Sequence, residues 1–235
     1  MTYLVYPEKI PGFILKVLQA FPLTLGIMLA SLLIAIALGF LLAAAQLSSK
    51  RWAHGVARVW VSLMRGIPPL VMIFLLYFAL PQVLKAATGI DIAAANKVYF
   101  IVAALSLIAS ANMGEMMRSS YLSVPREQTE AALACGMTHA QAVRRIVLPQ
   151  AVATAVPLFG NLVISLFKNT SLAFSIGVID MMGRANVISS ANYGAYRLEL
   201  YVAVALIYWV VCVVLMLVFM GLEGATTRGR RRATA

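Results

Sequence analysis

Residues 127–149, "EQTEAALACGMTHAQAVRRIVLP", form a polar island between segments that are almost entirely apolar. Its first half is rich in good helix formers, and Pro125 stands where the first turn of a helix accepts a proline. Glu127 and Glu130 come early in this run, where the helix dipole favours negative charge. The pattern predicts a short helix over residues 126–135.

A second short helix is predicted after Gly136, because glycine is the residue that most often ends a helix in the left-handed conformation. Thr138 and Gln141 match the capping box T-x-x-Q, which begins a helix by satisfying two backbone N–H groups. We expect this second helix to end at Leu148, because Pro149 biases the residue before it away from the helical region.

The first helix of the island presents carboxylates beside small side chains, with alanine at positions 131, 132 and 134. Such a helix fits a tight groove of another protein and leaves its glutamates free to form hydrogen bonds. The alternative is an amphipathic helix that rests on lipid headgroups, but those helices usually carry Lys or Arg above bulky anchors such as Trp or Phe. The composition therefore favours a docking element.

The rest of the chain is too apolar for a soluble domain of 235 residues, with 62% hydrophobic and 11% charged residues. A helix that crosses a bilayer needs about 20 predominantly apolar residues. Five stretches qualify as spans, at residues 22–49, 66–84, 98–114, 148–167 and 200–222. The fold class predicted is an all-α membrane protein of about five transmembrane helices.

The net charge of +11 is distributed as in a membrane protein. With five spans and the N-terminus outside, more Lys and Arg residues fall on the inner segments than on the outer ones, as the positive-inside rule requires. The run "RGRRR" at residues 228–232 is the strongest anchor of this orientation. The predicted partner is a lipid membrane, and no nucleic-acid partner is predicted.

The predicted organisation has three parts. Residues 1–16 form an N-terminal periplasmic or interfacial segment, and they lack the short apolar core and cleavage site of a signal peptide. Residues 17–223 form the membrane domain, and residues 224–235 form a basic cytoplasmic tail.

Little in the sequence points to catalysis. Cys135 and Cys212 are far apart, and His54 and His139 belong to no ligand motif, so neither a disulfide framework nor a metal site is predicted. No G-x-x-x-x-G-K-[ST] loop occurs, so we expect nucleotide phosphates to be bound elsewhere.

The polar island resembles the E-A-A-x3-G-x9-I-x-L-P signature of ABC importer permeases. The matching positions are Glu130, Ala131, Ala132, Gly136, Ile146, Leu148 and Pro149. In that family the segment is the coupling helix, which docks into a cleft of the ATP-hydrolysing subunit. The resemblance implies that these residues, together with Glu127, couple the chain to an ATPase.

Other blocks are similar to the polar amino acid branch of these permeases. They are "RGIPPLVMIFLLYFALP" at 65–81, "GEMMRSSY" at 114–121, "KNTSLAFSIGVID" at 168–180 and "LELYVAVALIYW" at 198–209. Ile67, Pro69 and Met72 depart from the branch's usual residues, and Asn169 stands in place of the usual aspartate. The resemblance covers roughly residues 15–222.

Several polar residues in or near the spans are candidates for the substrate pathway. Glu115 lies at membrane depth, where an ionisable group is normally paired or lines a polar path, and Arg118 one turn later can pair with it. Asn161 and Ser165 share a helix face and either line the path or hydrogen-bond a neighbouring helix. The candidates that follow are Lys168, Asn169, Thr170 and Ser171. Because Gly177 follows soon after them, we expect non-helical backbone there.

The resemblance implies a type I ABC importer transmembrane domain that takes up polar amino acids, with a lean toward glutamate or aspartate. Its implied partners are a second permease, identical or similar, two ATPase subunits that bind ATP and Mg, and an amino acid-binding protein outside a bacterial inner membrane. The chain itself is expected to bind no cofactor and to catalyse no reaction. The alternative is a stand-alone secondary transporter or channel with Glu115 as its proton or ion site, which inverted repeats would support.

Overall fold

The computed structural model describes residues 6–231, with side chains as far as residue 225. Most of this part of the chain is helical, and no strand occurs between residues 6 and 231. The helices are α1 Ile10–Leu18, α2 Phe21–Leu47, α3 Arg51–Gly66, α4 Pro69–Phe74, α5 Leu80–Thr88, α6 Lys97–Leu122, α7 Arg126–Ala134, α8 His139–Ala142, α9 Leu148–Asn169, α10 Met181–Ala191 and α11 Arg197–Arg231. The basic run at 228–232 and the tail that follows it lie outside the residues whose side chains are described.

Five helical segments are long and apolar enough to cross a membrane, which confirms the predicted fold class. They are Phe21–Leu47, Pro69–Thr88, Lys97–Leu122, His139–Ile176 and Arg197–Ala225. Two of them differ from the predicted spans. The second begins only at Pro69, after an extended residue at Ile67 and a proline at position 68, and the fourth extends well beyond both ends of 148–167.

The centre of the fold is the packing of α6 against α2. Glycines let the two backbones approach closely, as is common between membrane helices. A Cβ added to Gly39 would stand 2.7 Å from the Cβ of Met113, and one added to Gly114 would stand 3.1 Å from the carbonyl oxygen of Gly39. Ser31 and Ser106 are buried in the same interface.

The fold has two sides, which lie at opposite ends of α6. Because α6 runs from Lys97 to Leu122, the helices α7 and α8 lie beyond its C-terminus, and we call this the α7 end. The chain returns through α9 to the opposite side, where α1 and α10 meet: the Arg184 guanidinium of α10 donates to Gln19 Oε1 at 2.8 Å. We call this side the α10 end.

The helix α3 has three distinct faces. One is buried against the fold and carries Ala57, Val61 and Met64. The second is apolar and exposed and carries Trp52, Val56, Val59 and Leu63. The third carries His54, Arg58, Ser62 and Arg65, spaced at helical intervals along one side. The apolar exposed face suits lipid, and the third face is cationic.

The prediction that Pro149 ends the preceding helix is wrong. The chain passes through a π-helical turn at Val143–Val147, and Leu148 has helical angles, φ −60° and ψ −44°. Proline lacks an N–H and its ring collides with the carbonyl four residues earlier, and a wider turn relieves that collision. A second π-helical turn, Leu75–Ala79, stands in the same relation to Pro81.

Candidate functional site

The segment Arg126–Ala142, called here the projecting segment, presents the predicted docking surface. Its first helix, α7, begins at Arg126 and has Glu127 in its first turn, as predicted. Glu127, Glu130, Ala131 and Ala134 are exposed and lie on one stripe of the helix, spaced three and four residues apart. The predicted site residue Ala132 lies on the other side and is buried. The stripe therefore combines two carboxylates with two methyl groups and is open to a partner.

The turn between the two short helices has the predicted chemistry. Gly136 adopts the left-handed conformation at φ +80°, donates to Leu133 O at 2.9 Å, and is followed by a bond from Met137 N to Ala132 O. This pair of bonds is the Schellman ending of a helix. The capping box is also present, since Gln141 N donates to Thr138 Oγ1 and Thr138 N donates to Gln141 Oε1.

The projecting segment is anchored to two spans. Val124, just before α7, is buried together with Val147 of the π-helical turn and Ala151 of α9, and Tyr121 of α6 packs against the group. Within the segment, Ala142 is fully buried. These contacts hold the C-terminal end of α6 and the N-terminal end of α9 together at the base of the segment.

The last three predicted coupling residues lie where the segment joins α9. Ile146 is half-buried in the π-helical turn, and its carbonyl accepts a hydrogen bond from the Gln150 side chain at 3.1 Å. Leu148 and Pro149 are exposed in the first turn of α9. Ile146 and Leu148 flank the buried Val147, which makes the anchoring contact.

Glu115 and Arg118 form the predicted ion pair. Arg118 donates through two nitrogens, at 2.6 Å to Glu115 Oε1 and at 3.1 Å to Oε2. The pair lines an open cavity of about 730 Å³ at the α7 end of the fold. About a quarter to a third of each side chain is exposed, so the pair is accessible from this cavity.

The opposite wall of this cavity is the cationic face of α3, which the sequence reading missed. The lining includes His54, Arg58 and Arg65, as well as Gln46, whose carbonyl accepts from His54 Nδ1 at 2.7 Å. The cavity therefore carries more positive than negative charge. The signal was present in the sequence as polar residues at positions 54, 58, 62 and 65, a helical spacing in an otherwise apolar helix.

A second, smaller cavity of about 30 Å³ lies between α2, α6 and α9, with room for a water molecule or two. Its polar lining consists of Ser165, Asn169 and Asn112. Asn112 was not predicted, although it lies one turn before Glu115 in an apolar run. An amino acid does not fit this space in the conformation described.

The structure does not bring Asn161 and Ser165 to the same cavity. Asn161 lines a separate cavity of about 160 Å³ between α9 and α11, together with Gly160 and Phe219. Ser165 faces α2 and α6 instead. Residues four positions apart share a face of an isolated helix, but here different neighbours cover Asn161 and Ser165.

The residues after Asn169 form a 3-10 helix, Thr170–Ile176, where non-helical backbone was expected. Thr170 is fully buried and its hydroxyl donates to Phe167 O at 2.7 Å, while Ser171 donates to Lys168 O at the same distance. Lys168 is exposed. The helix ends at Gly177 in the left-handed conformation, φ +79°. These hydroxyls therefore satisfy carbonyls of the tightened turn.

Asp180 is a buried carboxylate at the α10 end. It caps α10, since its Oδ1 accepts from Gly183 N at 2.8 Å, whereas Oδ2 is buried without a hydrogen-bond partner among the described residues. Burial raises the pKa of Asp180 to about 6, against the opposing effect of the backbone N–H groups of Gly183 and Met182. The residue therefore has a structural task at the start of a helix.

The five spans and the exposed projecting segment between two of them are the architecture of a multi-pass membrane protein. Residues 35–227 match the family described as "Binding-protein-dependent transport system inner membrane component", and the chain belongs to this family. The predicted resemblance to ABC importer permeases is thereby confirmed.

Individual relatives agree with this family. The chain is 40% identical over 207 residues to the L-cystine transport system permease protein TcyL of Bacillus subtilis (strain 168), covering 88% of this chain and 85% of the relative. It is 38% identical over 197 residues to the probable amino-acid permease protein YxeN of the same organism, covering 84% and 85%. A solved structure described as "Crystal structure of an amino acid ABC transporter with histidines" matches with a TM-score of 0.83 and 28% identity, covering 94% of this chain and 99% of that chain.

Proposed function

We propose that this chain is the membrane permease subunit of an ATP-driven importer of polar amino acids. Its partners are a second permease, identical or similar, two ATPase subunits that hold ATP and Mg, and an amino acid-binding protein. The family and the amino acid permeases among its relatives support this assignment. The observation that carries it is the projecting segment, an exposed stripe of glutamates and alanines fixed to the ends of α6 and α9.

The mechanism follows from that anchoring. When the ATPase subunits close on ATP, each projecting segment moves as a rigid body with the cleft in which it sits. Because Tyr121 and Val124 before the segment pack against Val147 and Ala151 after it, the adjoining ends of α6 and α9 are held together at the base of the segment and move with it. These helices line the small cavity of Asn112, Ser165 and Asn169, so their displacement opens or closes it. Docking shifts the equilibrium only to the extent that it is tighter in one conformation than in the other.

The two cavities supply groups that suit a zwitterion. Every amino acid carries a carboxylate, for which Arg58, Arg65 and Arg118 are fitting partners, and an ammonium, for which Glu115 is one. The small cavity offers neutral amides that hydrogen-bond without selecting charge. The substrate therefore passes between an amide-lined constriction and a cation-rich cavity at the α7 end.

The preference for glutamate or aspartate stays a prediction. The excess of arginine in the larger cavity supports it, because an acidic amino acid brings a second carboxylate. The cystine permease among the relatives supports a different polar amino acid, and cystine also carries two carboxylates. Uptake measured with glutamate, aspartate and cystine in parallel separates these substrates.

The orientation is also part of the proposal. With ATPases in the cytoplasm, the α7 end faces inward and the α10 end faces outward, in a bacterial inner membrane. The N-terminus is then outside and the C-terminus inside, as the distribution of Lys and Arg indicates.

A pull-down from the native membrane tests the proposal. We expect ATPase activity to co-purify with the tagged parent protein and to be lost with Glu130→Arg, which reverses a charge on the exposed stripe. Gln128→Arg is the matched control, because it adds a positive charge to an exposed position of the same helix outside the stripe. An ATPase that is absent from the parent, or retained equally by both variants, would contradict the assignment.

The rival function is a secondary transporter with Glu115 as its ion site. The bidentate contact with Arg118 argues against it, because the guanidinium already occupies both carboxylate oxygens that an ion site would use. Uptake into vesicles driven by a proton gradient without ATP would favour the rival.

A further inference from the structure

The turn between α10 and α11 contains an unusual helix ending. Tyr193 N donates to Ser190 O at 3.1 Å and Gly194 N donates to Ser189 O at 2.8 Å, the two bonds of a Schellman motif. The residue at the left-handed position of this motif is Tyr193, with φ +53°. The same pair of bonds ends two other helices of the chain, and there the position is held by Gly136 and Gly177.

A side chain at this position strains the backbone, because its Cβ approaches the following carbonyl. The strain is offset when the side chain makes contacts elsewhere, and Tyr196, the other tyrosine in this conformation at φ +59°, does so. The ammonium of Lys9 lies 3.6 Å from the centre of the Tyr196 ring, and the rings of Tyr6 and Phe13 pack against it. The packing of the Tyr196 ring therefore offsets the strain of its backbone.

Tyr193 has no such compensation. Its side chain is fully exposed, at 101% of the reference area. Glycine would fit the same turn without strain and without placing an aromatic ring in solvent. A strained residue whose ring makes no contact within the fold indicates a role in contact with another molecule.

The position of the turn indicates which partner it meets. It lies at the α10 end, opposite the projecting segment, and it is surrounded by exposed Asn192, Gly194 and Ala195. Exposed cations dominate this end among the described residues, with Lys16, Lys97, Lys168 and Arg197. Of the acidic groups at this end, Glu8 is exposed, Asp91 is bound to Lys85, and Asp180 and Glu199 are buried, so the exposed cations outnumber the exposed carboxylates. The surface is therefore complementary to an acidic protein surface.

We propose that Tyr193 is an anchor for the amino acid-binding protein, which seats the ring in an apolar pocket bordered by acidic residues. This inference rests on the proposed function, since it requires that a binding protein delivers substrate to the α10 end. A single exposed aromatic ring of this kind supplies much of the binding energy of an interface when a pocket desolvates it. The rigid Schellman turn holds the ring in place before docking and reduces the entropy lost on association.

The test uses the complete complex of permeases and ATPases in lipid nanodiscs, with the purified binding protein of the same system loaded with its amino acid. ATPase rate is measured as a function of binding-protein concentration for the parent and for Tyr193→Gly and Tyr193→Asn, which both accept the left-handed backbone. We expect the half-maximal concentration to rise about tenfold in both variants. The thermal midpoint of Tyr193→Gly should equal or exceed that of the parent, because the strain is gone.

Tyr99→Ala is the matched control, because Tyr99 is also exposed at the α10 end but belongs to the regular helix α6. It should leave the half-maximal concentration unchanged. An unchanged concentration in the Tyr193 variants would overturn the proposal. A lower thermal midpoint at an unchanged concentration would place the ring in the lipid interface and overturn it as well. A parent complex that the binding protein does not stimulate would instead overturn the proposed function, and the docking role with it.

Discussion

Gly39 of α2 and Gly114 of α6 lie directly against each other at the centre of the fold. A methyl group on either one would meet the opposite helix at about 3 Å or less, at the Cβ of Met113 in one case and at the Cβ of Leu42 in the other. This contact sets the distance between the two helices. Because α6 also carries Asn112, Glu115 and Arg118, the contact between the two glycines also fixes the positions of those side chains.

Gly39→Ala should destabilise the permease. The added methyl would lie 2.7 Å from the Met113 Cβ and 3.1 Å from the Gly114 backbone nitrogen, and neither is the end of a flexible chain. Overpacking of this kind costs about 1–3 kcal/mol, and the gain in helix propensity offsets only about 1 kcal/mol. The thermal midpoint in detergent measures the effect. Gly26→Ala in the same helix is the control, because nothing lies within 4 Å of its added methyl, and a loss as large there would refute the packing argument.

Gly136→Val should uncouple the permease from its ATPase while the spans stay folded. Valine at φ +80° costs about 1–2 kcal/mol, and the cost falls on the turn that joins α7 to α8. We expect faster amide hydrogen exchange in α7 and a lower ATPase rate with the binding protein present. Gly136→Asn should show a smaller effect, since asparagine tolerates this conformation. Equal effects of the two substitutions would locate the cause elsewhere.

Asn169→Asp should change substrate choice. It places a negative charge beside the small cavity, where little water is present to screen it. Glutamate and aspartate carry a net negative charge, whereas the two ammonium groups of cystine balance its two carboxylates. We therefore expect uptake of glutamate and aspartate to fall about tenfold relative to cystine, which corresponds to about 1.4 kcal/mol. Asn161→Asp makes the same change on the same helix at the cavity that faces α11, and it should leave the ratio unchanged. Equal shifts in both variants would remove Asn169 from the pathway.

Asp180 should make stability depend on pH. Its pKa is about 6 in the folded protein and 3.8 is its ordinary value, so the folded state binds the proton more tightly than the unfolded state. The stabilisation is fully present below pH 3.8 and is lost as the pH rises through about 6, and it amounts to at most about 3 kcal/mol. Asp180→Asn retains an oxygen that can accept from Gly183 N and should flatten the dependence between pH 4 and 7. The measurement is the thermal midpoint across this range, and a slope that persists in the variant would exclude Asp180 as its origin.

Features that depend on neighbours in the chain were predictable. The helix over 126–135, the left-handed Gly136 and the capping box of Thr138 follow from local backbone chemistry. The pairing of Glu115 with Arg118 follows from their spacing on one helix. The apolar stretches gave the five spans because backbone polar groups in lipid must be satisfied within a helix.

Features that depend on which helices meet were not predictable in the same way. The cationic face of α3 has a readable period, but only the fold places it across a cavity from Glu115. Asn161 and Ser165 have the predicted spacing, yet α11 covers one of them and α6 the other. Pro149 was expected to end a helix. A π-helical turn accommodates the proline instead, because the buried Val147 holds the residues before Pro149 against the fold.

The π-helical turn at Val143–Val147 also determines the rotational position of α7 and α8 around the axis of α9. Such a turn holds one residue more than regular α-helix, and each residue turns a helix by about 100°. Deletion of one residue there would restore the regular winding and rotate α7 and α8 by about 100° around the axis of α9, with every side chain of the stripe intact. The glutamates would then point away from their cleft. The proposed docking surface therefore depends on the rotational position of α7 as well as on its residues. A variant can retain every residue of the stripe and still lose that position.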